Sequence, residues 1–289
     1  MPIEIQTSQG VTPNGLVTFT FNKPVVQYAI GMRAFWFTYG SDDHWIKSLA
    51  IRILPVQSAS VGAVATQVTA HVRMEMQDSS GNHLNVANSQ VWPVCIALTG
   101  SPEPNTQFGA AVGVSAGGNG QTVPMPPLGG GYSISTCFQS GFNLAYTPGD
   151  HQILQANASC GLQAGQIMVS AGMNDASGNS VQVATVDSGY IASSYPSPGV
   201  VAVPIQKQSA DPVQVNIPGA KNAVGLITDW NVEYSGVHNL QILRVGSFGE
   251  PSCADGVVTL KSCYAAMNDT SGNSQVDNSS CSMIVLATI

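Results

Sequence analysis

At 289 residues the chain is long enough for two or three ordinary domains, and its 44% apolar content can fill packed cores. Only 9% of the residues are charged, against about 25% in typical domains, and the net charge is −7 with the Lys and Arg scattered singly. That balance disfavours nucleic acid, which needs clustered cations, and no basic stretch or apolar run of ~20 residues provides for an anionic membrane surface or a bilayer span.

Met1-Pro2-Ile3-Glu4 lacks the basic start and apolar core of a signal peptide. A removed leader, another export route and retention inside the cell all stay open. A Thr-Pro-Asn-Gly turn then precedes Val17–Phe21, which alternates as a strand. An aromatic block, Phe35-Trp36-Phe37-Thr38-Tyr39, leads through a short turn to His44 and a strand-like run, Trp45–Ile53. Val72, Met74 and Met76 alternate with Arg73, Glu75 and Gln77, as in a strand with one buried face. That strand enters the heptapeptide M-Q-D-S-S-G-N, Met76–Asn82, whose Gly and Asn suit a hairpin turn. Val91–Leu98 is a last apolar run.

The same order recurs twice. Phe142-Asn143-Leu144-Ala145-Tyr146, His151 and M-N-D-A-S-G-N (Met173–Asn179) form one copy. Trp230-Asn231-Val232-Glu233-Tyr234, His238 and M-N-D-T-S-G-N (Met267–Asn273) form the other. A repeat at near-constant period fixes the organisation. The expectation is all-β: three tandem antiparallel β-sandwich modules over residues 1–100, 101–195 and 196–289. Residues 101–131, rich in Pro, Gly, Ala and Ser with glycine runs at 117–120 and 129–131, read as a linker or long loop. Tyr195-Pro196-Ser197-Pro198-Gly199 reads as a second break, followed by short strands at Val200–Ile205 and Val213–Ile217.

The candidate ligand-binding residues are Asp43, His44, Trp45, Asp150, His151 and His238. Three imidazoles at matching places could surround a common axis and hold a metal or anion, could each serve a separate ligand site, or could each bond a neighbouring turn. Trp45, beside His44, and Trp36, off the face of its aromatic neighbours, are of the kind that stacks on sugar rings or packs between modules. The D-x-S-G-N turn lacks the later oxygen ligands of a calcium loop, so its Asp is expected to accept turn N–H groups.

No nucleophile–base set, phosphate loop or zinc motif is present, so no enzyme activity, cofactor or metal is assigned. No Cys-x-x-Cys occurs; Cys137 with Cys160 and Cys263 with Cys281 are possible disulfides, with buried free thiols as the alternative.

Phe21-Asn22-Lys23-Pro24-Val25-Val26, an aromatic strand and then Ile46–Ile53 resemble the layout of H-type lectin domains. The resemblance implies six-stranded antiparallel sandwiches, trimers, and sugars bound near subunit borders. Three modules in one chain would then form a covalent pseudo-trimer. The functional expectation is a non-enzymatic carbohydrate-binding or surface-recognition protein, extracellular or particle-associated, with a glycan or cell-surface ligand. The alternative is a self-assembling structural component of an extracellular fibre, capsid or phage-tail-like particle.

Overall fold

The computed structural model describes residues 3–56, 65–103, 105–116, 121–124, 134–193, 200–208, 212–275 and 279–289. The glycine runs at 117–120 and 129–131 and the break at 195–199 lie outside them. Among the described residues every regular element is a strand, and all strand pairs are antiparallel.

The first third of the chain supplies β1 (Ile3–Thr7), β2 (Leu16–Thr20), β3 (Val25–Thr38), β4 (Ser48–Val56), β5 (Gln67–Gln77) and β6 (Gln90–Thr99). The middle third supplies β7 (Thr106–Ser115), β8 (Gln121–Pro124), β9 (Ile134–Ala145), β10 (Ile153–Gln163), β11 (Gln166–Asn174) and β12 (Val183–Ser193). The last third supplies β13 (Val200–Gln208), β14 (Val213–Asn216), β15 (Asn222–His238), β16 (Ile242–Ser247) and β17 (Ser252–Ala254). It continues with β18 (Val257–Leu260), β19 (Cys263–Asn268), β20 (Ser274–Gln275) and β21 (Ser280–Thr288).

Residues 101–131 are therefore not a simple linker, since they hold β7 and β8. Thr106, Phe108, Ala111 and Val114 bury their side chains against the sheet. The small residues that read as loop chemistry are what fits there. A Cβ on Gly109 would lie 2.4 Å from the Tyr190 hydroxyl on the paired strand β12.

The large sheets do not follow the thirds of the chain. Their strand orders are β1-β6-β3-β16-β19-β20, β7-β12-β9-β4-β5-β2 and β13-β21-β15-β10-β11-β8; β14-β18-β17 is a small fourth sheet. Each large sheet joins three strands of one third to three of another. The three junctions share one register. Phe35 and Phe37 face Val245 and Leu243; Phe142 and Leu144 face Ile51 and Leu49; Trp230 and Val232 face Ala158 and Ala156. The long strand at each junction also bulges at a matching place, stepping over Arg33, Ser140 or Thr228, each two residues before the first aromatic of its block.

Strands β3, β9 and β15 touch one another. Where they meet, Phe35, Phe142 and Trp230 pack as a triangle of rings with centroids 5.1–5.5 Å apart. All three are buried, and rings in this arrangement add about 0.5–1.5 kcal/mol per pair beyond their burial. The Trp230 indole N–H donates to Gln139 Oε1 at 3.1 Å, and the Gln139 amide donates to the Ala158 and Thr228 carbonyls. This buried polar group is thus satisfied rather than orphaned. A second core, with Ile5, Val94, Phe138, Leu226 and Leu286 among its members, continues the packing between the sheets.

Candidate functional site

The heptapeptide turns set the local geometry. Asp78 Oδ1 accepts the N–H groups of Ser80 and Asn82, both at 2.8 Å, while Oδ2 accepts the Asn82 side-chain amide at 2.6 Å. Asp175 holds Ser177 and Asn179 the same way, and Asp269 holds Ser271 and Asn273. The glycine of each turn has φ between 83° and 93°, a conformation that favours Gly. The Asp side chain closes its own turn, as expected for D-x-S-G-N.

Each repeated histidine rests on the turn of its own third. His44 Nδ1 is 3.4 Å from Asp78 Oδ2, His151 Nδ1 is 2.9 Å from Asp175 Oδ2, and His238 Nδ1 is 3.1 Å from Asp269 Oδ2. A tyrosine ring packs on each imidazole, Tyr39 at 4.7 Å, Tyr146 at 4.3 Å and Tyr234 at 4.9 Å. Burial, reinforced by the nearby carboxylates, pushes all three phenols well above their ordinary range. Of the three readings of the histidines, this geometry matches the bond to a neighbouring turn, with a separate carboxylate for each ring.

The backbone next to the histidines closes a ring. His44 and Leu240 exchange backbone hydrogen bonds, Ile46 and His151 do the same, and Ile153 pairs with His238. Each third is bridged to both others, and Ile46, Ile153 and Leu240 are fully or almost fully buried behind the bridges.

Side-chain ties run between thirds as well. Asp43 Oδ2 accepts the Thr270 N–H at 3.0 Å and its hydroxyl at 2.6 Å, and Oδ1 accepts the Asn239 amide at 3.0 Å. Asp150 Oδ2 accepts the Ser79 N–H at 2.9 Å. Gln152 donates to Asn239 Oδ1 at 3.2 Å. Burial raises the carboxyls of Asp43, Asp78 and Asp175, but hydrogen bonds from Thr270 and Asn239, from Asn82 and Ser80, and from Asn179, His151 and Ser177 outweigh it. All three lie below the ordinary carboxylate value.

Trp45 stands out among the candidate residues. It lies between His44, bridged to Leu240, and Ile46, bridged to His151, yet its side chain is 48% exposed. Trp36 is half-buried, with the Arg244 guanidinium 3.8 Å above its ring. It lines an open cleft of about 460 Å³ together with Thr38, Asn85, Asn88 and Gln90.

The six cysteines are free thiols, Cys253 partly exposed and the others buried. Burial pushes the Cys160 thiol up, with Cys137 beside it adding to the shift, and Cys281 has Cys263 as a similar neighbour.

Asp43, His44, Asp150, His151 and His238 are thus all engaged within the protein, and Trp45 presents its indole outward. Sequence reasoning missed Asn239 and Gln152 as members of this end, and it missed the carboxylate ties between thirds. A signal for the ties was present. The residue after the turn Asp is Ser79, Ala176 or Thr270, and the residue before the His is Asp43, Asp150 or Val237.

Fold and site together define an all-β protein with several antiparallel sheets and an end built from all three thirds of the chain. The chain matches no family model and no curated protein in sequence. Among the described residues no helix is long and apolar enough to cross a membrane.

Proposed function

We propose that this is a non-enzymatic, lectin-like recognition protein. Its three tandem β-sandwich modules, residues 1–100, 101–195 and 196–289, exchange strands to form a covalent pseudo-trimer. The modular part of this reading is supported by the common register of the three junctions and by the bulge at a matching place in each. Three copies of one unit, each completing the next, give that pattern through closed cyclic symmetry.

The recognition part is carried by Trp45. An indole held half in solvent, beside the backbone bridges that join the three thirds of the chain, supplies a flat apolar face. Sugar rings present apolar C–H faces edged by hydroxyls, and this is the surface they stack on. The ligand is a glycan or another cell-surface group, and the protein acts outside the cell or on a particle. The frame is held constant in the three copies, while the positions after the histidines differ as Trp45, Gln152 and Asn239. Such variation suits one site rather than three equal ones.

A glycan array probed with the wild type and with Trp45→Ala tests this. Hits that vanish in a variant whose melting temperature is unchanged support the reading. A folded wild type that binds no glycan overturns it.

A further inference from the structure

Two of the four arginines in the chain, Arg52 on β4 and Arg73 on β5, are direct cross-strand partners. Residues so paired project from one face of the sheet, and like charges placed there repel. Both side chains are on the outer face, Arg52 half-buried and Arg73 exposed. They line a cleft of about 370 Å³ with Asn14, Ala50, Glu75 and Asn143. Ala50 is the reason for the depression. It is the cross-strand partner of Glu75 on one side and of Asn143 on the other, and it offers only a methyl group between longer neighbours.

The carboxylates nearby are committed elsewhere. Asp187 accepts from Arg52 Nε at 3.1 Å and from the Gly113 N–H at 2.5 Å. Arg52 reaches it across Gly141, where a Cβ would collide with the Ile51 carbonyl at 2.3 Å. Glu75 Oε1 accepts the Ser48 hydroxyl and the Gln77 amide, the latter at 3.0 Å. The Arg73 guanidinium makes no ion pair or hydrogen bond among the described residues. In a chain of net charge −7, two facing cations with one fork unspent are an arrangement an anion would relieve.

We propose that this cleft binds a carboxylate-bearing polar ligand, namely an acidic sugar. The carboxylate sits between the Arg73 fork and the outer edge of Arg52, the planar two-donor geometry that arginine provides for such groups. The amides of Asn14 and Asn143 and the second oxygen of Glu75 are placed for hydroxyl groups. The Glu75 charge disfavours phosphate and sulfate dianions, which selects a monoanion. The sugar part of this proposal rests on the recognition reading above; the carboxylate part stands on the arginines alone.

Titration of the full chain with glucuronate, glucose, acetate and phosphate, followed by amide NMR, tests it. Glucuronate is expected to move the signals of Ala50, Arg73 and Asn143, and glucose to leave them in place. Arg73→Gln is expected to weaken glucuronate binding at least tenfold with a folded spectrum. Arg73→Lys, which keeps the charge and loses the fork, is expected to fall between. Acetate binding as tightly as glucuronate overturns the acidic-sugar assignment, as does tighter phosphate binding. Absent shifts, or affinity undiminished in both variants, overturn the site itself. Array hits abolished by Trp45→Ala alongside a silent glucuronate titration would sink this inference alone. Glucuronate binding with an empty array would sink the recognition reading alone.

Discussion

A Cβ on Gly31 would stand 2.5 Å from Cδ2 of Phe138 and 3.2 Å from the Leu226 side chain. Gly31, Phe138 and Leu226 each precede the first aromatic of their block by four residues, so one place in three strands is filled by one large ring, one Leu and one empty position. A second glycine lies against the same ring. A Cβ at Gly189 would lie 2.6 Å from Phe138 Cε2 and 2.7 Å from the Ile30 carbonyl. Gly31→Ala is therefore expected to overpack a closed core and cost about 1–3 kcal/mol, measured by urea unfolding. Adding Phe138→Leu should recover part of that loss. A Gly31→Ala protein as stable as the wild type would show that this packing is looser than described.

The strands themselves were legible because alternation reports a half-buried sheet directly. Val72, Met74 and Met76 are buried in β5 and their intervening neighbours are not, as the period of two requires. The turn at Asp78 was equally legible, since its chemistry is local. Which third supplies a strand's neighbour was not, because alternation is the same whichever partner covers the face. Arg52 and Arg73 are brought opposite by register alone. The strand β7 was hidden by composition, since Gly109, Ala110, Ala111 and Gly113 read as loop residues until Tyr190 is placed across them. The Asp43–Thr270 tie was hidden for a subtler reason. Aligning the copies sets Asp43 beside the turn of its own third, whereas the contact is made with another.

The lowered carboxyls of Asp43, Asp78 and Asp175 make a prediction about acid. A carboxyl whose folded value lies below its unfolded one, about 4, adds stability above that value. The stability is lost as pH falls through the lower, folded value. The melting temperature should therefore stay level from pH 7 towards 5 and fall below about 4. Asp175→Asn removes one of the three charges and weakens the bonds to Asn179 and His151, at a cost of about 1–3 kcal/mol at pH 7. Its melting temperature should start lower and fall less steeply in acid. Thermal melts between pH 2 and 7 would decide, and parallel curves for the two proteins would contradict the assignment.

The cross-ties between thirds yield a prediction of gain. Asp43 meets Thr270, and Asp150 meets the backbone of Ser79; the remaining pair of places holds Val237 and Ala176, without a carboxylate or a hydroxyl. If the three junctions are equivalent, Val237→Asp should find the N–H of residue 176, and Ala176→Thr should add the hydroxyl bond seen at Asp43. Val237 is 36% exposed, so replacing it gives up part of an apolar contact, which the cycle separates from the pairwise term. The expected coupling is that of a hydrogen bond at a partly exposed charged group, about 0.5–1.5 kcal/mol in favour of the double variant. A double-mutant cycle in urea measures it. Strictly additive effects would mean that the two positions do not face each other, and that the third junction is built differently from the other two.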